Sequence, residues 1–287
     1  MSDDEQKRIG ELLNLYSLED VKDIYVEGAF DKDVYQWFLR TNGRNDVSVY
    51  SIDVVEIPAE KFEQYNLSYP SNRSKLIVLS CELDRAKNIE STVLCIADRD
   101  YEDFLPTVVP NSFLTFTDFN SLESYVLDFD IMSKFISIGL GRLPFEANIL
   151  IPQLFKVLKS LFFIRLANEK LVWNMQWINL NRYLKVSRDS IIFEESKFIT
   201  ALLQRNNYAA NKVEFQTEIA TLISTAPSEE KLLIRGHDLM VVFHFVANKL
   251  RAKRHYEDVQ FFSGAFIASL GIDSLRDYSL FKNLIKI

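Results

Sequence analysis

Short β-branched runs alternate with helical patterns along the first part of the chain, and this alternation narrows the possible folds more than any other feature. The runs are 24–26, 47–55, 92–97 and 113–116, with helical patterns at 33–39, 76–86 and 122–127. Strand and helix in alternation predict a parallel sheet covered by helices. Val93-Leu94-Cys95-Ile96-Ala97 and Ile24-Tyr25-Val26 are nearly continuous apolar runs, as strands buried on both faces are. After Asp130 the pattern lengthens, with apolar residues every three or four positions: Phe155, Leu158, Phe162 and Leu166, then Leu239, Val242, Phe243 and Val246. That spacing predicts helices. Residues 1–130 therefore read as an α/β domain and residues 131–287 as a mainly helical one, with interhelical turns at Asn206-Asn207 and 224–228 and a new helix opening at Glu229-Glu230.

With only 8 glycines and 7 prolines in 287 residues and 48% apolar content, a disordered, collagen-like or loop-dominated chain is excluded. Two cysteines, Cys81 and Cys95, are too few for a disulfide scaffold or a zinc knuckle, which points to a reducing, cytoplasmic setting. The first six residues are acidic where a signal peptide needs a basic and then an apolar region. The richest apolar stretch, 149–166, contains Pro152, Lys156, Lys159 and Arg165, short of the roughly 20 predominantly apolar residues of a membrane helix. A formal charge of −7 argues against a general coat of positive charge for nucleic acid, but one local basic cluster stands out: Lys249, Arg251, Lys253, Arg254 and His255.

Acidic residues fall where open α/β sheets build their sites, at the carboxyl ends of strands. Glu27 follows the first strand and precedes Gly28, and Asp31 lies one helical turn further on. Asp98 and Asp100 follow the apolar strand 93–97, and extended chain would point both to one side. Two parallel carboxylates repel unless a cation or an arginine neutralises them. All-oxygen ligands suit Mg²⁺ or Mn²⁺ rather than Zn²⁺. After the run 113–116 come Ser121 and Glu123. Each group has a structural reading beside the functional one, since Asp favours turns and helix N-caps and Glu favours the first turn of a helix; their occurrence in order on successive strand ends is what favours a shared metal site.

The run from Ile24 to Asp31, followed downstream by Val93 to Asp100, resembles the Toprim domain: a glutamate ends the first strand and an Asp-x-Asp ends a later one. An aspartate at i+4 from the glutamate, a further acid at Glu102 or Asp103, and a later Ser-x-Glu at Ser121 and Glu123 are more similar to the OLD-family nucleases, which use two metal ions. The likeness covers residues 23–128. A chain of this length with a helical second half and no Gly-x-x-x-x-Gly-Lys-Ser/Thr phosphate loop resembles the Toprim effectors of the PARIS anti-phage systems. The resemblance implies a Toprim-like parallel sheet flanked by helices, followed by a mainly helical domain for partner, dimer or substrate contacts. It implies a Mg²⁺- or Mn²⁺-dependent endonuclease that cleaves tRNA, dimeric when active, once released from an ABC-type ATPase on a separate chain. Glu27 would be metal ligand or general base, Asp98 and Asp100 metal ligands, and Asp31, Asp103 and Glu123 supporting ligands. The alternatives are a DNA-nicking Toprim enzyme and a non-catalytic Toprim module that regulates a partner ATPase.

Elsewhere, Arg235-Gly236-His237-Asp238 offers a His–Asp pair, but helix neighbours point in different directions, and Asp238 reads as an N-cap before Leu239. Arg235 and His237, with Lys253 and Arg254 of the basic cluster, are candidate phosphate contacts. The competing reading of the cluster is a solvated helix end, where basic side chains suit the dipole.

Overall fold

The computed structural model describes residues 6–67, 70–86, 88–89, 91–106 and 110–287, so the acidic start of the chain, 1–5, lies outside the described residues. Two compact units emerge: residues 1–118 with 272–287, and residues 119–271. The division falls at 118/119 rather than at the expected 130/131, and the last 16 residues complete the first unit.

The first unit runs β1 (Lys7–Arg8), α1 (Ile9–Leu18), β2 (Lys22–Val26), α2 (Ala29–Thr41), β3 (Ser48–Ser51), β4 (Val55–Glu56), α3 (Ala59–Gln64), α4 (Asn72–Arg85), β5 (Thr92–Ala97) and β6 (Leu114–Phe116). Its main sheet is all parallel in the order β3-β2-β5-β6, with Tyr25 beside Tyr50 and Cys95, and Cys95 beside Leu114. The expected strand 47–55 is shorter than its β-branched pattern, because Ile52–Val54 turns as a 3₁₀ helix before β4 pairs with β1 in a separate two-stranded sheet. From β2 the chain leaves towards β3, and from β5 it leaves towards β6. Neighbouring strands with connections in opposite directions define a topological switch point, the place where parallel sheets open a crevice. Here that point lies between the carboxyl ends of β2 and β5.

Both faces of the sheet are covered, as the apolar strands require. Tyr25, Val93, Cys95 and Ala97 pack with Leu12 and Tyr16 of α1, Phe62 of α3 and Leu76, Leu79 and Leu83 of α4. The alternate residues Ile24, Val26 and Ile96 point to the opposite face and are just as buried. Cys81 and Cys95 are both free thiols, and burial pushes the Cys95 thiol far above its ordinary value.

At the amino end of β2 a polar network is sealed into the core. Tyr16 donates to Asp23 Oδ2 at 2.9 Å, and its oxygen lies 2.6 Å from that of Tyr25. Burial raises the Asp23 carboxyl above the ordinary aspartate value, against the smaller lowering effects of the Tyr16 bond and of Lys7. The folded state therefore holds this proton more tightly than the unfolded chain, and stability falls as pH rises from about 3.9 through the raised value. Asp23→Asn keeps an acceptor for Tyr16 and removes the titration. Its stability relative to the parent, measured by urea unfolding at a series of pH values, is expected to rise with pH above about 4 and then level off.

The second unit contains α5 (Phe129–Lys134), α6 (Ala147–Lys170), the antiparallel pair β7 (Leu184–Val186) and β8 (Ile191–Phe193), α7 (Glu195–Arg205), α8 (Lys212–Ser224), α9 (Gly236–Lys249) and α10 (Val259–Ile267). The turn at Asn206-Asn207 stands as expected, with Asn206 capping α7 and Asn207 at φ 64°. Glu229-Glu230 opens only a 3₁₀ turn, Glu230–Leu233, rather than a new α-helix. Helix α6 runs through Pro152 in its second turn, where the missing N–H removes a single helix bond. No helix of the described residues is long and apolar enough to cross a membrane.

The chain then returns to the first unit as α11 (Ile272–Arg276) and α12 (Ser279–Leu284). Phe281 of α12 is fully buried between Tyr35 and Phe38 of α2, with ring centroids 5.6 and 4.7 Å away. Leu280 N–H bonds the Asp118 carboxylate at 3.2 Å, and Arg44 donates to the carbonyls of Ile285 and Ile287 at 2.6 and 2.5 Å. These contacts explain why a segment so distant in sequence belongs to the sheet domain.

Candidate functional site

The switch point brings together the carboxyl ends of β2 and β5. Glu27, the residue after β2, accepts the backbone N–H of Asp98, the residue after β5, on Oε1 at 3.0 Å. Across this strand pair a carboxylate thus meets the main chain of the other acidic motif.

The first turn of α4 ties the same two strand ends. Ser71 caps the helix by accepting from Ser74 N–H. Asn72 Nδ2 donates to the Glu27 carbonyl at 2.7 Å. Arg73 Nη1 donates to the Asp98 carbonyl, and Nη2 pairs with Glu102 at 2.9 Å, while the guanidinium lies 5.3 Å from the centroid of the Phe116 ring. The Arg73 and Glu102 side chains retain only 18% and 12% of their exposure, so removing one leaves the other charge largely shielded from water. Arg73→Ala is expected to cost about 2–3 kcal/mol and to loosen the Asp98 loop. Urea unfolding checks the first effect, and amide exchange at 98–104 checks the second.

Asp31 is the third residue of α2, and its Oδ2 accepts the Gly28 N–H at 3.0 Å, an N-terminal capping bond for that helix. Its carboxylate therefore stands beside the residue that follows Glu27. Asp100 does not continue β5. It takes a left-handed conformation, φ 47°, which Asp tolerates better than most residues. The extended alternation that would have aligned Asp98 with Asp100 ends at this turn. Arg99 fastens the turn to β6, with its N–H on Thr117 Oγ1 at 3.1 Å and Nε on the Thr117 carbonyl at 3.0 Å. Asp103 pairs with Arg99 at 3.0 Å. The two candidates for the further acid thus differ: Glu102 is held by Arg73, and Asp103 by Arg99.

Among the described residues no group of three or more His, Cys, Asp or Glu side chains is gathered closely enough to hold a metal. Mg²⁺ asks for less than such a cage, since it commonly binds through one or two carboxylates and fills its octahedron with water and phosphate oxygens. Glu27 and Asp98, all-oxygen donors on adjacent strand ends, fit that demand by chemistry.

Glu123 lies in the second unit, on the 3₁₀ turn Leu122–Val126. There the first residue of α9, Gly236, sits so close to Glu123 and Ser121 that a Cβ would collide with both. Any other residue there would push the Glu123 carboxylate and the Ser121 hydroxyl aside, and Glu123 stands at the positive end of the α9 dipole. Ser121 is buried, and its hydroxyl has no hydrogen-bond partner among the described residues.

Asp238 is not the N-cap of α9. The cap is Arg235, and the helix begins at Gly236, three residues before the apolar pattern starts at Leu239. Asp238 is instead buried and receives Arg165 in a two-pronged ion pair, Nε at 2.6 Å and Nη2 at 2.8 Å, with the guanidinium 3.8 Å from the centroid of the Trp177 ring. His237 next to it is exposed, and so are Lys253 and Arg254.

Asn72, Arg73 and Thr117 were not anticipated from sequence. The one available signal was Arg73 itself, a cation in the first turn of a helix, where the dipole disfavours positive charge. Compared with known protein families and with curated proteins, the chain matches none.

Proposed function

We propose that the chain is a Mg²⁺- or Mn²⁺-dependent endonuclease of Toprim type, the effector of an anti-phage defence system, which cleaves RNA, tRNA foremost, when a partner ABC-type ATPase releases it. The observation that carries this reading is the bond from Asp98 N–H to Glu27 Oε1 across the switch point of an all-parallel sheet. It puts the glutamate of one motif at the foot of the other, in the order that the Toprim resemblance implies.

In this reading Glu27 and Asp98 hold the metal, the remaining positions going to water and phosphate oxygens, and the first unit is catalytic. A bound Mg²⁺ lowers the pKa of water and neutralises charge on the phosphate under attack. The chain's own residues supply orientation. The Asp98 N–H fixes the Glu27 carboxylate through Oε1, which assigns Oε2 to ligate or to take the proton of the attacking water. Asn72 and Arg73 fix the backbone carbonyls on either side of that bond. Asp31 shapes the turn at Gly28, and Asp103 and Glu102 hold the loop through arginines. The second unit, with Glu123, Arg235 and His237, serves substrate, dimer or ATPase contacts.

Induction of the chain in cells, wild type beside Glu27→Ala, followed by electrophoresis of total RNA and plasmid DNA, tests this. Discrete tRNA fragments with the wild type alone support the reading. Nicked plasmid with intact tRNA replaces it with the DNA-nicking enzyme, and no change in either nucleic acid favours a non-catalytic module acting on its ATPase.

A further inference from the structure

In the second unit, four cations from three separate stretches of chain line one cleft of about 540 Å³: Arg142, Arg188, Arg251 and Lys253, beside Leu143 and Pro144, with no carboxylate in the lining. All four are exposed, and none enters an ion pair among the described residues. Arg142 and Arg188 do not belong to the end of α9, so a helix end that simply favours basic side chains does not account for the cluster.

The backbone that builds the cleft is fixed. Arg254 N–H bonds the Leu140 carbonyl at 2.8 Å, and the Tyr256 hydroxyl bonds the Gly139 carbonyl at 3.2 Å. Gly141 has φ +75°, and a Cβ there would stand 3.3 Å from Lys253 Cβ. Arg251 itself is left-handed at φ 53°, held by Arg251 N–H to Asn248 O and Ala252 N–H to Ala247 O at 3.1 and 3.0 Å. A non-glycine residue in that region is strained.

A second cleft of about 570 Å³ adjoins the first along Arg142, Leu143 and Pro144; it carries Phe129, whose surface is 55% exposed, and one lining carboxylate, the exposed Glu146. Unpaired cations beside an exposed aromatic ring match the two demands of a single strand, phosphate neutralisation and base stacking.

We propose that this double cleft binds single-stranded RNA, with Arg142, Arg188, Arg251 and Lys253 on successive phosphates and Phe129 against a base. The proposal rests on the nuclease reading only for the class of polyanion. It is tested by fluorescence anisotropy of the full chain with a labelled single-stranded RNA of about 20 nucleotides, a length that exceeds one such binding site, in EDTA so that cleavage plays no part. Arg142→Ala/Arg188→Ala/Lys253→Ala is expected to weaken binding at least about tenfold and to flatten the log–log salt dependence by about 2, three contacts at roughly 0.7 each. Arg142→Lys/Arg188→Lys should retain the salt dependence, and Phe129→Ala should weaken binding without changing it. These positions are exposed, so the urea midpoint should stay at the parent value. Parent-like affinity and salt dependence in the triple variant, no RNA binding by the parent, or equal preference for duplex DNA would overturn the proposal. The nuclease reading is decided separately, by cleavage in Mg²⁺ with Glu27→Gln.

Discussion

Glu27→Gln is expected to slow metal-dependent RNA cleavage by about 10³-fold or more, roughly 4 kcal/mol of transition-state stabilisation, with little change in stability. The amide retains an oxygen that can accept the Asp98 N–H at the position of Oε1, so the link between β2 and β5 survives. What disappears is the negative charge, and with it, on the proposed nuclease reading, either a metal bond or the proton acceptor. Single-turnover cleavage rates measure the loss, and urea unfolding should place the variant within about 1 kcal/mol of the parent, as expected for a substitution that conserves shape and hydrogen bonding. A folded variant that cleaves at the parental rate would remove Glu27 from the chemistry. A variant that fails to fold would assign the Asp98 bond a structural role, and Glu27→Asp with added Mn²⁺ would then separate charge from geometry.

Phe281→Ala should destabilise the first unit by about 3–5 kcal/mol, the range for truncating a buried aromatic. The ring is fully buried between Tyr35 and Phe38, and the cavity left behind would border α2, whose N-terminus follows Glu27. Arg44 and the Asp118 carboxylate hold the backbone on both sides of the ring, which limits collapse into the space and places the cost towards the upper end. Urea unfolding followed by tyrosine and tryptophan fluorescence reads the change. A loss below about 1 kcal/mol, the level of an ordinary surface substitution, would mean that 272–287 decorates the sheet domain rather than completing it.

The sheet was legible because its signal is local. Uninterrupted apolar runs at 24–26 and 93–97 can be satisfied only by burial on both faces, and both became central strands. The helical pattern at 33–39 sits inside α2, and that at 76–86 overlaps α4 up to Arg85, with Ala86 as its cap. The domain boundary was less legible, since what joins α12 to the sheet is a set of contacts between residues more than 160 positions apart, such as Asp118 with Leu280, and no periodicity encodes them. Glu27 and Asp98 could be placed because a residue just after a parallel strand must stand at its carboxyl end. Asp100 could not, because the left-handed turn that carries it depends on Arg99 reaching Thr117. Asp238 misled for a related reason: its residue type suits an N-cap, but Arg165, 73 positions away, claims its carboxylate. Arg142 and Arg188 carried no signal at all until the fold brought them beside Lys253.

The most direct measurement is incubation of the purified full chain with end-labelled tRNA across a Mg²⁺ titration, with EDTA and Glu27→Gln controls. The account predicts discrete fragments whose yield rises with Mg²⁺ and vanishes in EDTA and in the variant. Intact tRNA at every Mg²⁺ and Mn²⁺ concentration, from a chain shown to be folded, would contradict it.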